Sequence, residues 1–372
     1  MGTSRAYSAR RGVPKGTGQD GIALLLALLF IALLSVIVVE YTYEAEVEAA
    51  LATNDAADLE AYVAAKSAIA SAMAFLAADL LEIEQFSGAD FDSHLDLWAR
   101  PAPLEPINGA VMRCTIDDEY GKLNLNALFR MDDTGNEVPN ELLIEALREL
   151  FGRRADVLGL EENPADAVLD WLDADFEPRE FGAEGDFYAR LEIPYPCKNG
   201  PMDSVDELLL IRGITPGFFF GYFEGDIAPD QRDRPQEQIV PLPELVTVHG
   251  DPGGRINLNT AEPATLDALF AVWGLAAPEL VDEIIEMRMN DMPFINEHDM
   301  VVFFDKPRKN DIPPQHVLTV QSRAFRVYGD GITQNARVRI EAYLWRNPGR
   351  GAALSSIEAQ ESFRILDWRV IR

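Results

Sequence analysis

The longest apolar stretch of the chain lies near its N-terminus. Residues 22–39, IALLLALLFIALLSVIVV, carry no charge, and a helix of this length crosses most of a bilayer at about 1.5 Å per residue. From Ile22 to Ser87 there is no glycine or proline, which favours one very long helix or two nearly collinear ones. We therefore expect a transmembrane segment, 22–40, that continues outside the membrane as 41–88.

Beyond the membrane the pattern becomes amphipathic. Tyr62, Ile69, Met73, Leu76 and Leu80 follow one another at steps of three, four or seven residues, the spacing of one helix face. Such a face needs an apolar surface to cover it, so we expect it to pack on a globular head.

Three later stretches alternate apolar and polar residues as strands do. They are 108–118, a pair within 324–346 that flanks a glycine-containing turn, and 363–370. We expect them to form one antiparallel sheet against the long helix. The predicted class is α+β, with the head assembled from sequence on either side of a large insertion.

The insertion, about 129–315, has a helical pattern and contains a divergent duplication. GKLNLN at 121–126 recurs as GRINLN at 254–259, and each copy continues through an apolar helix, a proline and an acidic-capped helix. This predicts an all-α insertion of two related modules, 129–240 and 241–315.

Two pairs of residues in the insertion have the spacing of a capping box. Ser204 and Glu207 precede a run of leucines, and Asn259 and Glu262 precede the apolar helix of the second copy. We expect both pairs to cap helix N-termini, so that these residues serve the fold.

The second copy also resembles the helix-hairpin-helix (SAM-like) modules of DNA-uptake proteins, which makes a membrane-tethered DNA-binding protein one alternative. Such modules approach phosphates with a Gly-x-Gly hairpin and basic neighbours, whereas 273–279 offers one glycine, a proline and an acid. The net charge is −30, from 62 acidic and 32 basic residues, and it repels phosphate backbones. We expect no nucleic acid partner.

No catalytic constellation is present in the sequence. The four histidines are scattered without a shared motif, and no nucleophile, base and orienting group can be nominated together. We expect this protein not to be an enzyme.

The residues before the apolar run resemble the leader of type IV prepilins. Basic residues outnumber the one acid there, which places this end in the cytoplasm and the bulk of the chain in the periplasm. Gly21 stands before the apolar run, whereas an ordinary signal peptide has its small residues after it. The resemblance implies that prepilin peptidase removes 1–21 between Gly21 and Ile22 and leaves a methylated terminus at Ile22. An ordinary single-span anchor is the alternative.

One departure from the pilin pattern narrows the resemblance. Most pilin-like subunits carry glutamate at the fifth mature position, and here that position is Leu26. Among pseudopilins the lack of this acid is typical of the K-type minor pseudopilins of type II secretion systems, which also have a helical domain inserted into the head. The resemblance implies an inner-membrane protein that forms the pseudopilus tip with the I- and J-type minor pseudopilins. A minor pilin of a type IV pilus is the alternative.

An acidic segment lengthens the first module. Asp173, Asp175, Glu184 and Asp186 supply hard oxygen ligands at a density that can bind calcium, although a solvated acidic loop has the same composition. The spacing is not that of an EF-hand, because Pro178 stands where the loop glycine is needed. The resemblance to the K-type proteins implies calcium, with these four residues as candidate ligands.

Only two cysteines occur, Cys114 and Cys197, in neither a CxxC nor a zinc-site spacing. A periplasmic location permits a disulfide between them. Sequence leaves two alternatives open, one disulfide or two separate thiols.

These observations divide the chain into seven segments. They are the leader 1–21, the transmembrane part 22–40, the periplasmic helix 41–88, the first part of the head 89–128, the modules 129–240 and 241–315, and the C-terminal strands 316–372.

Overall fold

The computed structural model describes residues 19–82, 91–132, 134–222, 239–273, 277–304, 317–347 and 363–371. Internal contacts divide the chain into two compact units, Met1–Leu59 and Glu60–Arg372. Most of the expected leader therefore lies outside the described residues.

The first helix, α1, spans Gln19–Glu82 and contributes to both units. In the first unit its side chains from residue 22 to residue 56 are exposed to solvent. Among the described residues it is the one helix long and apolar enough to cross a membrane. The expected transmembrane segment 22–40 lies within it.

In the second unit a five-stranded antiparallel sheet forms what we call the head, together with residues 60–82 of α1. The strand order is β1-β2-β9-β10-β11. These strands are β1 (Glu105–Ile107), β2 (Ala110–Asp118), β9 (Ala324–Ile332), β10 (Arg337–Arg346) and β11 (Phe363–Ile371). The predicted antiparallel sheet is confirmed, and short β1 is added to its edge.

The helix packs on this sheet at very short range. Ile69, Met73 and Leu76 are buried there as predicted, while the side chain of Leu80 lies outside the described residues. Two glycines of β9, Gly329 and Gly331, face the helix where it carries alanines. A Cβ on either would collide with a main-chain carbonyl oxygen of the helix, that of Ala65 or Ala61. Glycine is required here because the two backbones touch.

The helices of the insertion, from both copies, share one hydrophobic core. They are α2 (Glu141–Leu158), α3 (Ala165–Leu172), α4 (Gly185–Tyr188), α5 (Pro216–Phe220), α6 (Pro263–Val272), α7 (Ala277–Met289) and α8 (Glu297–Phe304). Helices α2 and α6, one from each copy, pack against each other. The two copies therefore stabilise each other.

The insertion is not all-α. A hairpin joins β4 (Phe129–Met131) to β5 (Glu137–Pro139), and two parallel pairs join β3 (Leu123–Asn124) to β6 (Val246–Thr247) and β7 (Ile256–Asn257) to β8 (Leu318–Thr319). Each parallel pair joins the beginning of one copy to its end. We call 121–248 the first repeat and 254–320 the second repeat.

One asparagine in each repeat makes two equivalent hydrogen bonds and a third that differs. Asn126 accepts from the Met202 N–H at 2.8 Å and donates to the carbonyl oxygens of Met202 and Val248. Asn259 accepts from the Phe294 N–H at 2.9 Å and donates to the Phe294 carbonyl oxygen at 2.9 Å, and to that of Asp92. Two of the three contacts match, as the predicted duplication requires.

The capping prediction is correct only in part. Ser204 accepts from the Asp206 N–H at 3.2 Å, but Glu207 reaches back to the Asp203 N–H at 2.7 Å and not to Ser204. Asn259 caps no helix, because its side chain is occupied by Phe294.

The second repeat is anchored to the head through Asp118 at the end of β2. One carboxylate oxygen of this buried residue accepts from Thr260 Oγ1 at 2.5 Å, Ser322 Oγ at 2.6 Å and Asn257 Nδ2 at 3.1 Å. Three donors compensate the cost of burying the carboxylate.

Candidate metal centre

Three of the four predicted calcium ligands meet in the first repeat. Asp173 directly follows α3, Glu184 directly precedes α4, and Asp175 lies between them. One carboxylate oxygen from each lies within 4.8 Å of the others. Asp173 and Glu184 are buried and Asp175 is exposed, so the cluster opens to solvent on one side.

The fourth predicted ligand, Asp186, does not join this cluster. Its side chain is 97% exposed, and its nearest ionic partner is Arg190 at 3.6 Å. As the second residue of α4 it points away, because the helix turns its side chain from the loop that carries the other three. The structure therefore does not bring Asp186 to the other three predicted ligands.

Buried oxygen atoms without a hydrogen-bond donor converge on the cluster. Asp173 Oδ1, Glu184 Oε1 and Asn199 Oδ1 are all in this state. Asn199 has a positive φ of 46°, and its Nδ2 donates to the Asp175 carbonyl oxygen and, at 3.4 Å, to Glu184. A buried acceptor without a donor costs about 1–3 kcal/mol. A hard cation between the carboxylates would satisfy the Asp173 and Glu184 oxygens, so the residues present fit calcium.

Asn199 is a site residue that the sequence analysis missed, because that search considered acids alone. The available signal was the Asn199-Gly200 dipeptide, a turn sequence, placed just before the proline of the first repeat. Amide oxygens are ordinary calcium ligands.

The electrostatics of the cluster favour a cation. Burial raises the pKa of Asp173, and the nearby carboxylates of Asp175 and Asp170 raise it further. Burial also raises the pKa of Glu184, again with Asp170 contributing. Each shift shows that negative charge is disfavoured here, and bound positive charge would reverse that balance.

Arg179 neutralises one side of the cluster. Its guanidinium donates to Asp170 Oδ1 at 2.6 Å and to Asp173 Oδ2. Asp170 is completely buried, so Arg179 is its counter-charge. Asp173 therefore uses one oxygen for the arginine and keeps the other, Oδ1, for a further ligand.

The structure does not join Cys114 to Cys197. Both thiols are free. Cys114 lies on β2 in the core between the sheet and α1, whereas Cys197 packs against the core of the insertion. Cys197 donates to the Asp170 carbonyl oxygen at 3.6 Å, and burial raises its pKa to about 11. Of the two alternatives that the sequence leaves open, the structure has the two separate thiols.

The predicted processing residues belong to α1. Gly21 and Ile22 lie within the helix, and Leu26 is 50% exposed. The stretch that argues against DNA binding includes residues 274–276, which lie outside the described residues.

Comparison with known proteins finds similarity to one family. The family model described as type II secretion system (T2SS), protein K, matches residues 121–219. Type II secretion system protein K of Pseudomonas aeruginosa is 27% identical over 272 residues, covering 71% of this chain and 72% of its own length. Its counterpart of the same name from Klebsiella pneumoniae is 28% identical over 260 residues, covering 68% and 70%. Over these stretches the chain is similar to the type II secretion system protein K family. The resemblance drawn from the leader and Leu26 is confirmed.

A solved structure shows that the fold of this chain is a known one. The chain matches the crystal structure of the GspK–GspI–GspJ complex from the enterotoxigenic Escherichia coli type 2 secretion system with a TM-score of 0.57. The identity is 18%, and the match covers 82% of this chain and 94% of the matched chain. The family-model match, 121–219, contains every residue of the metal cluster.

Proposed function

We propose that the protein is a minor pseudopilin that initiates and caps the pseudopilus of a type II secretion system. One observation supports this proposal most. An exposed apolar helix, which has a leucine and not an acid at Leu26, continues into a pilin-like head that bears a large insertion. Similarity to type II secretion system protein K supports the same role.

The proposed action is mechanical. The apolar helix would leave the inner membrane by packing with the helices of neighbouring subunits. A carboxylate at the fifth mature position would have to be paired inside an apolar filament, and Leu26 has no such requirement. The insertion would clash with a subunit stacked above it, so the protein would end a filament more easily than continue one.

The I- and J-type minor pseudopilins are the proposed partners. The structural neighbour was solved as a complex of GspK with GspI and GspJ, and the similarity to protein K supports a corresponding assembly here. Prepilin peptidase would process the leader, with the N-terminus in the cytoplasm and the bulk of the chain in the periplasm.

Processing can be tested by intact-mass and N-terminal analysis of the full chain expressed with and without prepilin peptidase. We expect a peptidase-dependent, methylated start at Ile22. Gly21→Val should block cleavage, and the control Gly18→Val should not. A start beyond Val39, or a leader that persists in the presence of the peptidase, would contradict the proposal.

Assembly can be tested separately, by co-expressing the processed chain with I- and J-type minor pseudopilins in detergent. We expect the three to co-elute in size-exclusion chromatography. Elution of this chain by itself, at micromolar concentration and after correct processing, would contradict the tip role.

We also propose that the metal centre binds calcium. Asp173, Asp175, Glu184 and the amide oxygen of Asn199 would hold the ion through oxygen atoms alone, a donor set suited to calcium and not to zinc. Bound calcium would supply positive charge that ties the two ends of the loop 173–184 to residue 199.

The calcium proposal predicts that chelation lowers the melting temperature of the full chain. A ligand present at 100 times its dissociation constant stabilises a fold by about 2.7 kcal/mol. Asp175→Asn should remove most of the calcium-dependent rise, and the matched control Asp186→Asn should keep it. Elemental analysis that finds no calcium, together with a melt unchanged by chelation, would exclude the ion.

A further inference from the structure

A second group of carboxylates lies where the end of α1 meets the head, far along the helix from the expected membrane segment 22–40. Asp79 of α1, Asp92 and Asp96 each bring one oxygen within 4.8 Å of the others. Asp79 is 5% exposed and Asp92 is completely buried. The guanidinium of Arg346, the last residue of β10, is also buried and contacts both of them. We call these four residues the α1 junction.

The charges of the α1 junction do not balance. Arg346 donates through Nη2 to both oxygens of Asp92 at 2.7 Å, and its Nη1 lies 3.4 Å from Asp79 Oδ2. Asp96 accepts from a main-chain donor, the Ser93 N–H, at 2.6 Å. Three ionised carboxylates and one guanidinium would leave two negative charges in a largely buried space, which is costly. A bound proton removes one of these charges and supplies an O–H donor to a neighbouring carboxylate.

Asp79 is the member best placed to hold this proton. Burial raises the pKa of Asp79 to about 8, with Asp96 and Asp92 adding to the shift and Arg346 opposing it. The oxygens of Asp92 already have donors, in Arg346 and in the Ser322 N–H at 2.7 Å. Burial raises the pKa of Asp96 less far, to about 6. The proton therefore belongs to the carboxyl group on the helix.

The elements packed around the α1 junction bring no second cation to it. The Asp92 carbonyl oxygen accepts from Asn257 and Asn259 of the second repeat, which are uncharged. From β2 comes another acid, Asp118, whose pKa is raised to about 6 by burial, with Asp92 adding to the shift. Among the residues that the structure describes, Arg346 is the one cation in contact with the three carboxylates.

We propose that the α1 junction is a pH-dependent switch, in which a proton on Asp79 fixes the last turns of α1 to the head and its loss as pH rises releases them. Ionised Asp79 would face Asp92 and Asp96 across a buried space, and their repulsion would act on the end of the helix. The contact of α1 with the two glycines of β9 involves no titratable side chain and stays closed. This inference does not depend on the proposed function.

The pH range of the switch follows from the raised pKa of Asp79. Below the ordinary carboxyl pKa of 3.8 the group is protonated whether the helix end is attached or released, so its contribution to attachment is complete. Between that value and about 8, release of the helix end also releases the proton, and each pH unit multiplies the opening constant by about ten. Attachment is therefore lost as pH rises through the folded value and changes little above it.

Hydrogen–deuterium exchange of the full chain in lipid nanodiscs tests the switch. The amides of residues 76–82, the last turns of α1, are followed at pH 6 and pH 8.5, with rates corrected for intrinsic exchange. We expect their protection to fall by about fifty-fold over this interval. Asp79→Asn, whose amide resembles the protonated carboxyl, should keep it constant to within about two-fold. The control Asp55→Asn, at an exposed position of α1, should behave as the parent chain does.

A further variant decides which carboxyl group holds the proton. Asp96→Asn removes one repelling neighbour of Asp79 and should reduce the fall in protection without abolishing it. A fall that Asp96→Asn abolishes and Asp79→Asn does not, or no fall in the parent chain, would overturn the switch. Failure of Asp79→Asn to fold at pH 6 would overturn it too, because the amide matches the protonated carboxyl in shape.

A metal ion at the α1 junction would be the other way to balance its charges, and the same samples distinguish it from a proton. Elemental analysis and exchange are repeated at pH 6 after chelation. We expect chelation to leave the protection of residues 76–82 unchanged. A bound ion that is lost in Asp79→Asn but kept in Asp175→Asn, together with protection that chelation lowers, would assign the junction to a cation and overturn the proton switch.

Discussion

The two repeats share a frame and differ in what they carry. In each, an asparagine of the GxxNLN turn holds the segment that begins with a proline, through Met202 or Phe294. In the second repeat that segment follows the end of α7 almost at once. In the first, residues 173–201 intervene, and they contain the metal cluster. The comparison teaches that chemistry was added where one copy of a stable frame acquired a longer loop.

Removing Arg179 should have the largest effect and tests whether the long loop is stable without a cation. Arg179→Met leaves completely buried Asp170 without its counter-charge, which costs about 3 kcal/mol in the absence of calcium. The stabilisation gained on adding calcium should become larger than in the parent chain. Urea denaturation with calcium or chelator measures both quantities. The surface control Arg190→Met should change stability by less than about 0.5 kcal/mol, and an equally mild Arg179→Met would contradict this role.

The two framework asparagines test how far the repeats are equivalent. Asn259→Ala should cost about 3 kcal/mol, because its partners at Phe294 and Asp92 are buried with it. Asn126→Ala should cost about 2 kcal/mol, because this half-buried site lets water replace part of the side chain. Asn136→Ala, at an exposed turn, is the control. Thermal unfolding of the three variants ranks their losses of stability. A larger loss for Asn126→Ala than for Asn259→Ala would contradict this account of the two repeats.

The pH dependence should differ between the calcium-bound and calcium-free protein. Burial raises the pKa of Asp173 and Glu184, so in the calcium-free state their favourable contribution is complete below the ordinary carboxyl pKa and is lost as pH rises through the raised values. Calcium binds the ionised carboxylates and gains over the same interval. The difference in melting temperature should therefore widen by about 2 °C or more as pH rises from 4 to 7. A constant difference would show that these two carboxylates do not hold the ion.

The smallest expected effect is that of a reductant, which tests whether a disulfide links the first repeat to the head. Since Cys114 and Cys197 are free and lie in different cores, reductant should leave the melting temperature unchanged to within about 1 °C. Half-buried Cys197 should react with a thiol reagent before buried Cys114 does. A reductant-dependent change in the electrophoretic mobility of the monomer would show that the two cysteines form a disulfide.

The sequence predicted the fold wherever a hydrophobic pattern repeats over many residues. Alternation located β2 and β9 to β11, and the three- and four-residue steps located the buried face at Ile69 and Leu76. The short parallel pairs were missed because two residues carry no period. Their signal was the likeness of LVTV at 245–248 to VLTV at 317–320, which places the same strand at the end of each copy.

The sequence predicted the candidate site only through its acidic residues. Counting carboxylates found Asp173, Asp175 and Glu184, but it also selected Asp186, because density along the chain does not show which way a helix turns a side chain. Asn199 is neutral and distant in sequence. Arg179 looked like an ordinary surface cation. Both acquire their roles from a fold that brings them to buried carboxylates.

The contact of α1 with β9 affects how this subunit would respond to tension in the proposed filament. Gly329 and Gly331 let the helix lie against the strand without an intervening side chain at these positions. A flexible side chain would stretch and rearrange under tension, whereas backbone atoms already in contact have almost no slack. A pull on the helix therefore reaches the sheet over a distance shorter than one side chain, so this joint should be stiff and should fail abruptly.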